Sequence, residues 1–188
     1  PPRQSGRVGL PPALTIDHVD TLVAETIDAH GWDKAVQKVA SPPNPMNGPI
    51  AVRGAEPGDS LKVEIIAMRP IRASGWTRAS LAGNVVDPEF VRELPARDRA
   101  TWRIDRNALT VALDNPPKGL EHFVLPYEPM IGCFGVAPGG GQAISTATSA
   151  ENGGNMDYRR FGPGTTVWFP VFEPGALFFL GDCHAVQG

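Results

Sequence analysis

The chain has 188 residues, 41% of them hydrophobic, and a formal net charge of -3, which predicts a globular protein that can bury a core. Its 17 basic residues are scattered among 20 acidic ones without a basic stripe, so we expect no nucleic-acid partner. No apolar run approaches the roughly 20 residues of a membrane helix and no secretory signal opens the sequence, which predicts a cytoplasmic protein without a membrane partner.

Glycine and proline, 21 and 20 residues respectively, separate short β-branched runs along the whole chain. This pattern predicts a mainly β fold, a β-sandwich or barrel-like set of strands with few short helices. Near-alternation over 13–27 predicts two short strands joined by a tight turn at His18–Asp20. The segment Pro42–Ile50 predicts a rigid loop, because proline fixes φ and removes a backbone donor.

A first hairpin is predicted after this loop. Strands at Ile50–Arg53 and Ser60–Met68 flank the segment Gly54–Asp59. Pro57 and Gly58 suit the two central positions of a type II turn, because the second of these positions needs a positive φ.

The second half of the chain is predicted to begin with an irregular segment and to return to strands from Phe123, first within 122–138. Mixed periodicity over 85–103 predicts an excursion with a short helix at Pro88–Glu93, and the glycine-rich segment 139–157 predicts a long loop. Apolar runs within Thr165–Leu180, separated by Glu173–Gly175, predict a second hairpin. No linker divides the sequence, so we expect a single unit over residues 1–188.

Three polar residues of this half have side chains that suit a metal ion. On a strand, Asp182 and His184 at positions i and i+2 project from the same face. Asp157 closes the glycine-rich loop, where it caps a turn in an exposed connector or joins the other two in a metal site. Carboxylate and imidazole groups suit Zn²⁺ and related ions, and oxygen-rich sites suit Ca²⁺, Mg²⁺ or Mn²⁺.

The two cysteines show no spacing typical of a disulfide framework or a metal site. Cys183 lies between Asp182 and His184, so on a strand it points to the opposite face. We therefore expect a buried, inert thiol at Cys183 and a core position for Cys133, beside Phe134.

Several segments carry a family resemblance. NPMNGPIAVRGAEPGDSLKVEI at 44–65, GGNMD at 153–157 and VFEPGALFFLGDCHAVQG at 171–188 resemble, in this order, the acetamidase/formamidase family. LPPALTID at 10–17 and PYEPMIGCFGVAP at 126–138 fit the same pattern. The resemblance covers nearly the whole chain and is loose only over 72–122.

The resemblance implies a β-rich, metal-dependent amidase that hydrolyses a small aliphatic amide such as formamide or acetamide. By position, it implies that Asp157, Asp182 and His184 bind the metal, that Asp182, His184 and Asn155 take part in catalysis, and that Gln187 supports them. Zinc is the expected ion and calcium the alternative, and a homo-oligomer is expected.

The sequence departs from the family pattern in two places. The family's SGD is replaced by HVD at His18–Asp20, so Val19 stands where the turn has glycine. The Asp-Gly-Glu that follows the end motif in the family is not seen after Gly188. We therefore expect the C-terminal part of the family domain to be missing, and the 188-residue chain alone not to turn over amides.

Two alternative functions stay open from the sequence. One is a non-catalytic β-domain that binds a metal or small ligand and keeps the family fold. The other is a metallohydrolase that acts on a cyclic amide, because the chemistry would be the same and the pocket would select the substrate.

Overall fold

The structure, a computed structural model, describes residues 5–7, 11–78, 86–94 and 99–187. Outside these ranges lie Leu10 and Gly188 of the predicted motifs, and residues 85 and 95–98 of the predicted excursion. The described residues are mainly β, as predicted, and the expected short helix is a 3-10 helix at Phe90–Glu93. No helix in the described ranges is long and apolar enough to cross a membrane.

The strands, in chain order, are β1 (Ser5–Arg7), β2 (Leu14–Ile16), β3 (Asn47–Val52), β4 (Ser60–Glu64), β5 (Ser74–Arg78), β6 (Arg99–Asp105), β7 (Thr110–Leu113), β8 (Val124–Pro126), β9 (Met130–Gly135), β10 (Ala143–Ser145), β11 (Ser149–Ala150), β12 (Gly153–Asn155), β13 (Thr166–Pro170) and β14 (Phe178–His184).

The chain divides into two compact units, one of residues 1–71 with 128–188 and one of residues 72–127. The second unit is an antiparallel meander in the order β5-β6-β7-β8. On it, Trp102 donates a hydrogen bond to Thr77 and its ring meets that of Phe123 edge-on. The expectation of a single unit over residues 1–188 stays a prediction.

The first unit is built on a six-stranded sheet in the order β11-β12-β9-β14-β3-β2, in which β2 and β3 are parallel. Every residue of β9 is buried, which agrees with its uninterrupted run of apolar residues and glycine. Phe169 of β13 packs edge-on against Phe134 of β9, with ring centroids 5.3 Å apart. The pair β13-β4 therefore covers the large sheet, and the core lies between the two layers.

Neither of the two predicted hairpins forms, although all four strands predicted for them are present. Instead β3 pairs with β14, and β4 pairs with β13. The pairing continues through the bends between them, where Gly58 donates to Val171 and Gly175 donates to Ala55. The two strand-turn-strand segments therefore lie antiparallel along each other, and each one passes from one sheet to the next.

The bend between β3 and β4 explains why the first hairpin prediction is wrong. Asp59 N–H donates to Glu56 O at 3.0 Å and Gly58 has a φ of 99°, so the predicted type II turn is present. A second turn precedes it, because Ala55 N–H donates to Val52 O. Two successive turns redirect the chain into the other sheet, whereas a hairpin needs a single reversal.

Three other predictions need correction. Only β2 forms within 13–27, because the residues after the turn at His18–Asp20 pair with no strand in the described chain. The rigid loop is shorter than predicted, since β3 begins at Asn47 and includes Pro49. The long loop at 139–157 contains β10, β11 and β12, because glycine at 153 and 154 allows the close approach of β12 to its neighbours.

Candidate metal centre

Asp182 and His184 lie on β14, the strand next to β9 at the centre of the large sheet. Asp182 is buried and His184 is partly buried. Asp157 follows β12, on the other side of β9. The backbone N–H groups of Met156 and Asp157 both donate to the carbonyl oxygen of Gly132, at 2.9 and 3.1 Å. Strand pairing therefore positions Asp157 against the centre of β9.

The three side chains predicted to bind a metal meet in one cluster. Nε2 of His184 lies 3.4 Å from Oδ1 of Asp182 and 3.7 Å from Oδ1 of Asp157. The three donor atoms all lie within 4.8 Å of one another. Ligands of a tetrahedral zinc ion, at bond lengths near 2.1 Å, stand about 3.4 Å apart, so the residues present fit a divalent ion. Their roles as ligands stay predictions.

The charges in the cluster also suit a cation. Burial by itself lowers the pKa of His184, but the hydrogen bond and charge of Asp182, the charge of Asp157 and a hydrogen bond that the imidazole donates to Gln187 raise it above its usual value. Burial raises the pKa of Asp157, His184 lowers it and Asp182 raises it, with a net increase. Two carboxylates so close together repel each other, and a proton on His184 or a bound cation relieves that repulsion.

Gln187 and Asn155 take different places around this cluster. Gln187 hydrogen-bonds to His184, which agrees with the supporting role that the resemblance implies. Asn155 is opposite Cys133 in the pairing of β12 with β9, and its Oδ1 accepts a hydrogen bond from Asn44 at 2.8 Å. Because this oxygen already accepts a hydrogen bond, the side-chain NH₂ group is the part of Asn155 that could donate to a substrate oxygen.

Two residues of this region were missed from the sequence. Asn44 is buried, and its side chain donates both to Asn155 and to the carbonyl oxygen of Thr146. Its position among the prolines of a rigid loop was the feature of the sequence that could have indicated its structural role. Gly132 lies at the centre of β9, where a Cβ atom would stand within 2.8 Å of the cluster. A glycine inside an apolar strand was the available signal there.

The two thiols differ from each other. Cys133 is buried, as predicted, and burial together with the charges of Asp182 and Asp157 raises its pKa to about 12. Cys183 is exposed, so the prediction of a buried thiol is wrong. That prediction was based on the position of Cys183 on the face of the strand opposite Asp182 and His184, and β14 is accessible at this residue.

The chain is similar in sequence to known acetamidases and formamidases. The model of the Acetamidase/Formamidase family matches residues 140–188, which include all three residues of the cluster. The acetamidase of Mycolicibacterium smegmatis is 27% identical over 201 residues, covering 79% of this chain and 48% of that protein.

Solved structures extend the similarity to the whole chain. The acetamidase of Bacillus halodurans is 29% identical with a TM-score of 0.78, over 100% of this chain and 61% of that one. A predicted acetamidase/formamidase of Thermoanaerobacter tengcongensis is 30% identical with a TM-score of 0.80, over 100% and 60%. The acetamidase/formamidase resemblance is confirmed. This acetamidase-like chain spans about half the length of the curated relatives it matches.

Proposed function

We propose that the chain provides a divalent-metal site for the hydrolysis of a small linear amide, formamide or acetamide, to the carboxylic acid and ammonia. The observation that carries this proposal is the cluster of Asp157, Asp182 and His184, whose donor atoms lie within 4.8 Å of one another. The similarity to proteins named acetamidase supports the choice of reaction. Zinc is the proposed ion, with calcium as the alternative.

Asp157, Asp182 and His184 would hold the ion. When bound, a divalent ion supplies a water of lowered pKa and a Lewis acid for the amide carbonyl. His184 can serve as a ligand only in its neutral form, and its hydrogen bond with Gln187 would orient the imidazole while it gives up its proton.

The reaction itself adds water oxygen to the carbonyl carbon and breaks the carbon–nitrogen bond, and the leaving amine takes up a proton. A carboxylate that does not bind the ion is suited to carry this proton. Asn155 is suited to donate its NH₂ group to the carbonyl oxygen of the substrate, because Asn44 already holds its Oδ1.

Metal binding tests the site directly. We expect one equivalent of zinc per chain by elemental analysis and isothermal titration calorimetry, and loss of most of this binding in His184→Ala. The matched control is His122→Ala, because His122 is exposed and lies outside the cluster. Circular dichroism of both variants should match the unsubstituted chain. Equal zinc binding by all three proteins would refute the site.

We expect the 188-residue chain alone not to turn over amides, so the reaction is tested by ammonia release from formamide and acetamide on a zinc-loaded protein that also carries the C-terminal part of the family domain. Zinc binding without ammonia release would favour the non-catalytic β-domain. This alternative is retained because the chain spans only about half the length of its curated relatives. Release from a lactam in preference to both linear amides would favour the cyclic-amide hydrolase. The homo-oligomer and the cytoplasmic location stay predictions, and sedimentation analysis tests the first.

A further inference from the structure

Gly132 marks the point where three possible metal donors converge. A Cβ atom built on Gly132 would lie 2.7 Å from Oδ1 of Asp157, 2.7 Å from the main-chain carbonyl oxygen of Asp182 and 2.8 Å from Nε2 of His184. Contacts this short are repulsive, so the strand needs a glycine for space at this position. Two of the three atoms are the side-chain donors already described. The third is a backbone oxygen.

The backbone of Asp182 is unusual at this place. In the pairing of β14 with β9, Gly181 is opposite Cys133 and Cys183 is opposite Ile131. Asp182, which lies between them, has a φ of 50°, a left-handed conformation that aspartate tolerates better than most residues other than glycine. Here this conformation occurs at the residue that brings both a carboxylate and a carbonyl to the cluster.

We propose that the main-chain carbonyl of Asp182 is a fourth donor to the divalent ion, and that Gly132 is a positioning residue that keeps open the space in front of it. The inference rests on the proposed metal site and adds a donor that side-chain patterns cannot reveal. The set then has two carboxylates, one carbonyl and one imidazole. Three oxygen donors and one nitrogen suit harder cations such as Mn²⁺ and Ca²⁺ better than a nitrogen-rich set would.

Selective labelling can isolate this carbonyl, because the chain has two cysteines and they follow different residues. Only Cys183 follows an aspartate and only Cys133 follows a glycine. Protein labelled with [1-¹³C]aspartate and [¹⁵N]cysteine therefore gives one HNCO cross-peak, from the Asp182–Cys183 peptide. Labelling with [1-¹³C]glycine in place of aspartate gives a control cross-peak from the Gly132–Cys133 peptide.

The titrations use Zn²⁺ and, separately, Ca²⁺, with the imidazole signals of His184 followed in parallel. We expect the ¹³C shift of the Asp182 carbonyl to move downfield with the same saturation curve as His184, and by more than the Gly132 carbonyl. Movement of His184 with a stationary Asp182 carbonyl would overturn the fourth donor and leave the proposed metal site intact. No movement of either signal would overturn both.

The role of Gly132 is tested by Gly132→Ala, with Gly75→Ala as the matched control. Gly75 also lies in a strand, but a Cβ there would meet only Cδ1 of Ile104, at 3.8 Å. We expect Gly132→Ala to weaken zinc binding by at least about tenfold, as changes to groups that support ligands do, and Gly75→Ala to leave it unchanged. Unchanged zinc affinity in a folded Gly132→Ala protein would contradict the positioning role. If Gly132→Ala does not fold, Gly132→Ala combined with Asp157→Ala relieves one of the three clashes, and it should bind zinc more weakly than Asp157→Ala alone; equal zinc affinity of these two variants would contradict the positioning role.

Discussion

Replacing Val19 by glycine should stabilise the chain. Val19 stands in the tight turn that Asp20 closes by donating its N–H to the carbonyl oxygen of Asp17. Its φ is 69°, and 96% of its surface is exposed. A β-branched residue is poorly suited to this left-handed conformation. Because the side chain packs against almost nothing, its removal changes the strain and little else.

The size of the effect follows from two opposing contributions. A left-handed conformation costs a residue with a Cβ atom about 1–2 kcal/mol, which Val19→Gly would recover. Glycine also gives the unfolded chain more freedom, which costs about 0.4–1 kcal/mol. The free energy of unfolding should therefore rise by about 0.5–1 kcal/mol. In a chain of this length, that corresponds to an increase in Tm of about 1–4 °C.

Val23→Gly is the matched control for this experiment. Val23 is 90% exposed, but its φ is not in the left-handed region. The same substitution should therefore lower the free energy of unfolding by about 0.5–1 kcal/mol, because only the freedom of the unfolded chain changes. Urea titrations and thermal scans of both variants give the comparison. If Val19→Gly lowers stability as Val23→Gly does, the strain assigned to the turn is wrong.

Three further predictions concern the cluster and the core. Zinc affinity should fall as the pH drops through the raised pKa of His184, because a protonated imidazole cannot bind a metal; calorimetry from about pH 8 to pH 5 measures this. In the metal-free chain the same raised pKa acts in the opposite direction. Protonation of His184 contributes fully to the free energy of unfolding at a pH below its unfolded-state pKa of about 6.5. This contribution is lost as the pH rises through the raised pKa of the folded state, and urea titrations at several pH values would show the loss. Iodoacetamide should label exposed Cys183 in the native protein, slowly because desolvation of the thiol raises its pKa as well, and should leave Cys133, whose pKa is about 12, unmodified by intact mass. Phe134→Ala should cost about 3–5 kcal/mol of unfolding free energy in urea, because Phe134 is 0% exposed and contacts two other aromatic rings.

The positions of the strands could be predicted from the sequence far better than their partners could. Alternation and turn chemistry act over a few residues, and they identify β3, β4, β13 and β14 and the type II turn at Pro57–Gly58. Pairing depends on contacts between segments more than 100 residues apart, such as β3 with β14. Nothing local distinguishes a turn that folds a hairpin from one that bends the chain into a second sheet.

The candidate site shows the same division. Spacing places Asp182 and His184 on one face of a strand, and the family resemblance adds Asp157, although 25 residues separate it from Asp182. The resemblance supplied what periodicity cannot, the choice of a distant partner. Asn44 was missed because its partner, Asn155, lies 111 residues away. Gly132 was missed because its contribution is the space left by an absent side chain.

Glycines also explain why β12 was predicted as part of a loop. Gly153 has a φ of 88°, and a Cβ there would lie 2.6 Å from the carbonyl oxygen of Phe134 and 2.7 Å from Cε1 of Phe169. Glycine is normally unfavourable in a strand, but here it lets β12 approach β9 closely. Since Asn155 and Asp157 follow directly, this approach also determines where two of the proposed site residues stand.

Gly153→Ala should therefore disturb both the core and the metal site, and Gly141→Ala separates the causes. Gly141 has a similar φ of 70°, but a Cβ there would meet nothing within 4 Å. Gly141→Ala should cost about 0.5–1 kcal/mol net, because the left-handed conformation costs about 1–2 kcal/mol and the reduced freedom of the unfolded chain offsets about 0.4–1 kcal/mol of this. Gly153→Ala should cost a further 1–3 kcal/mol or so from overpacking. It should also weaken zinc binding, because β12 must move and Asp157 moves with it. Urea titrations and calorimetry of both variants test this. Equal unfolding free energies would show that the φ value matters and the close approach does not, and unchanged zinc affinity in Gly153→Ala would show that β12 does not position Asp157.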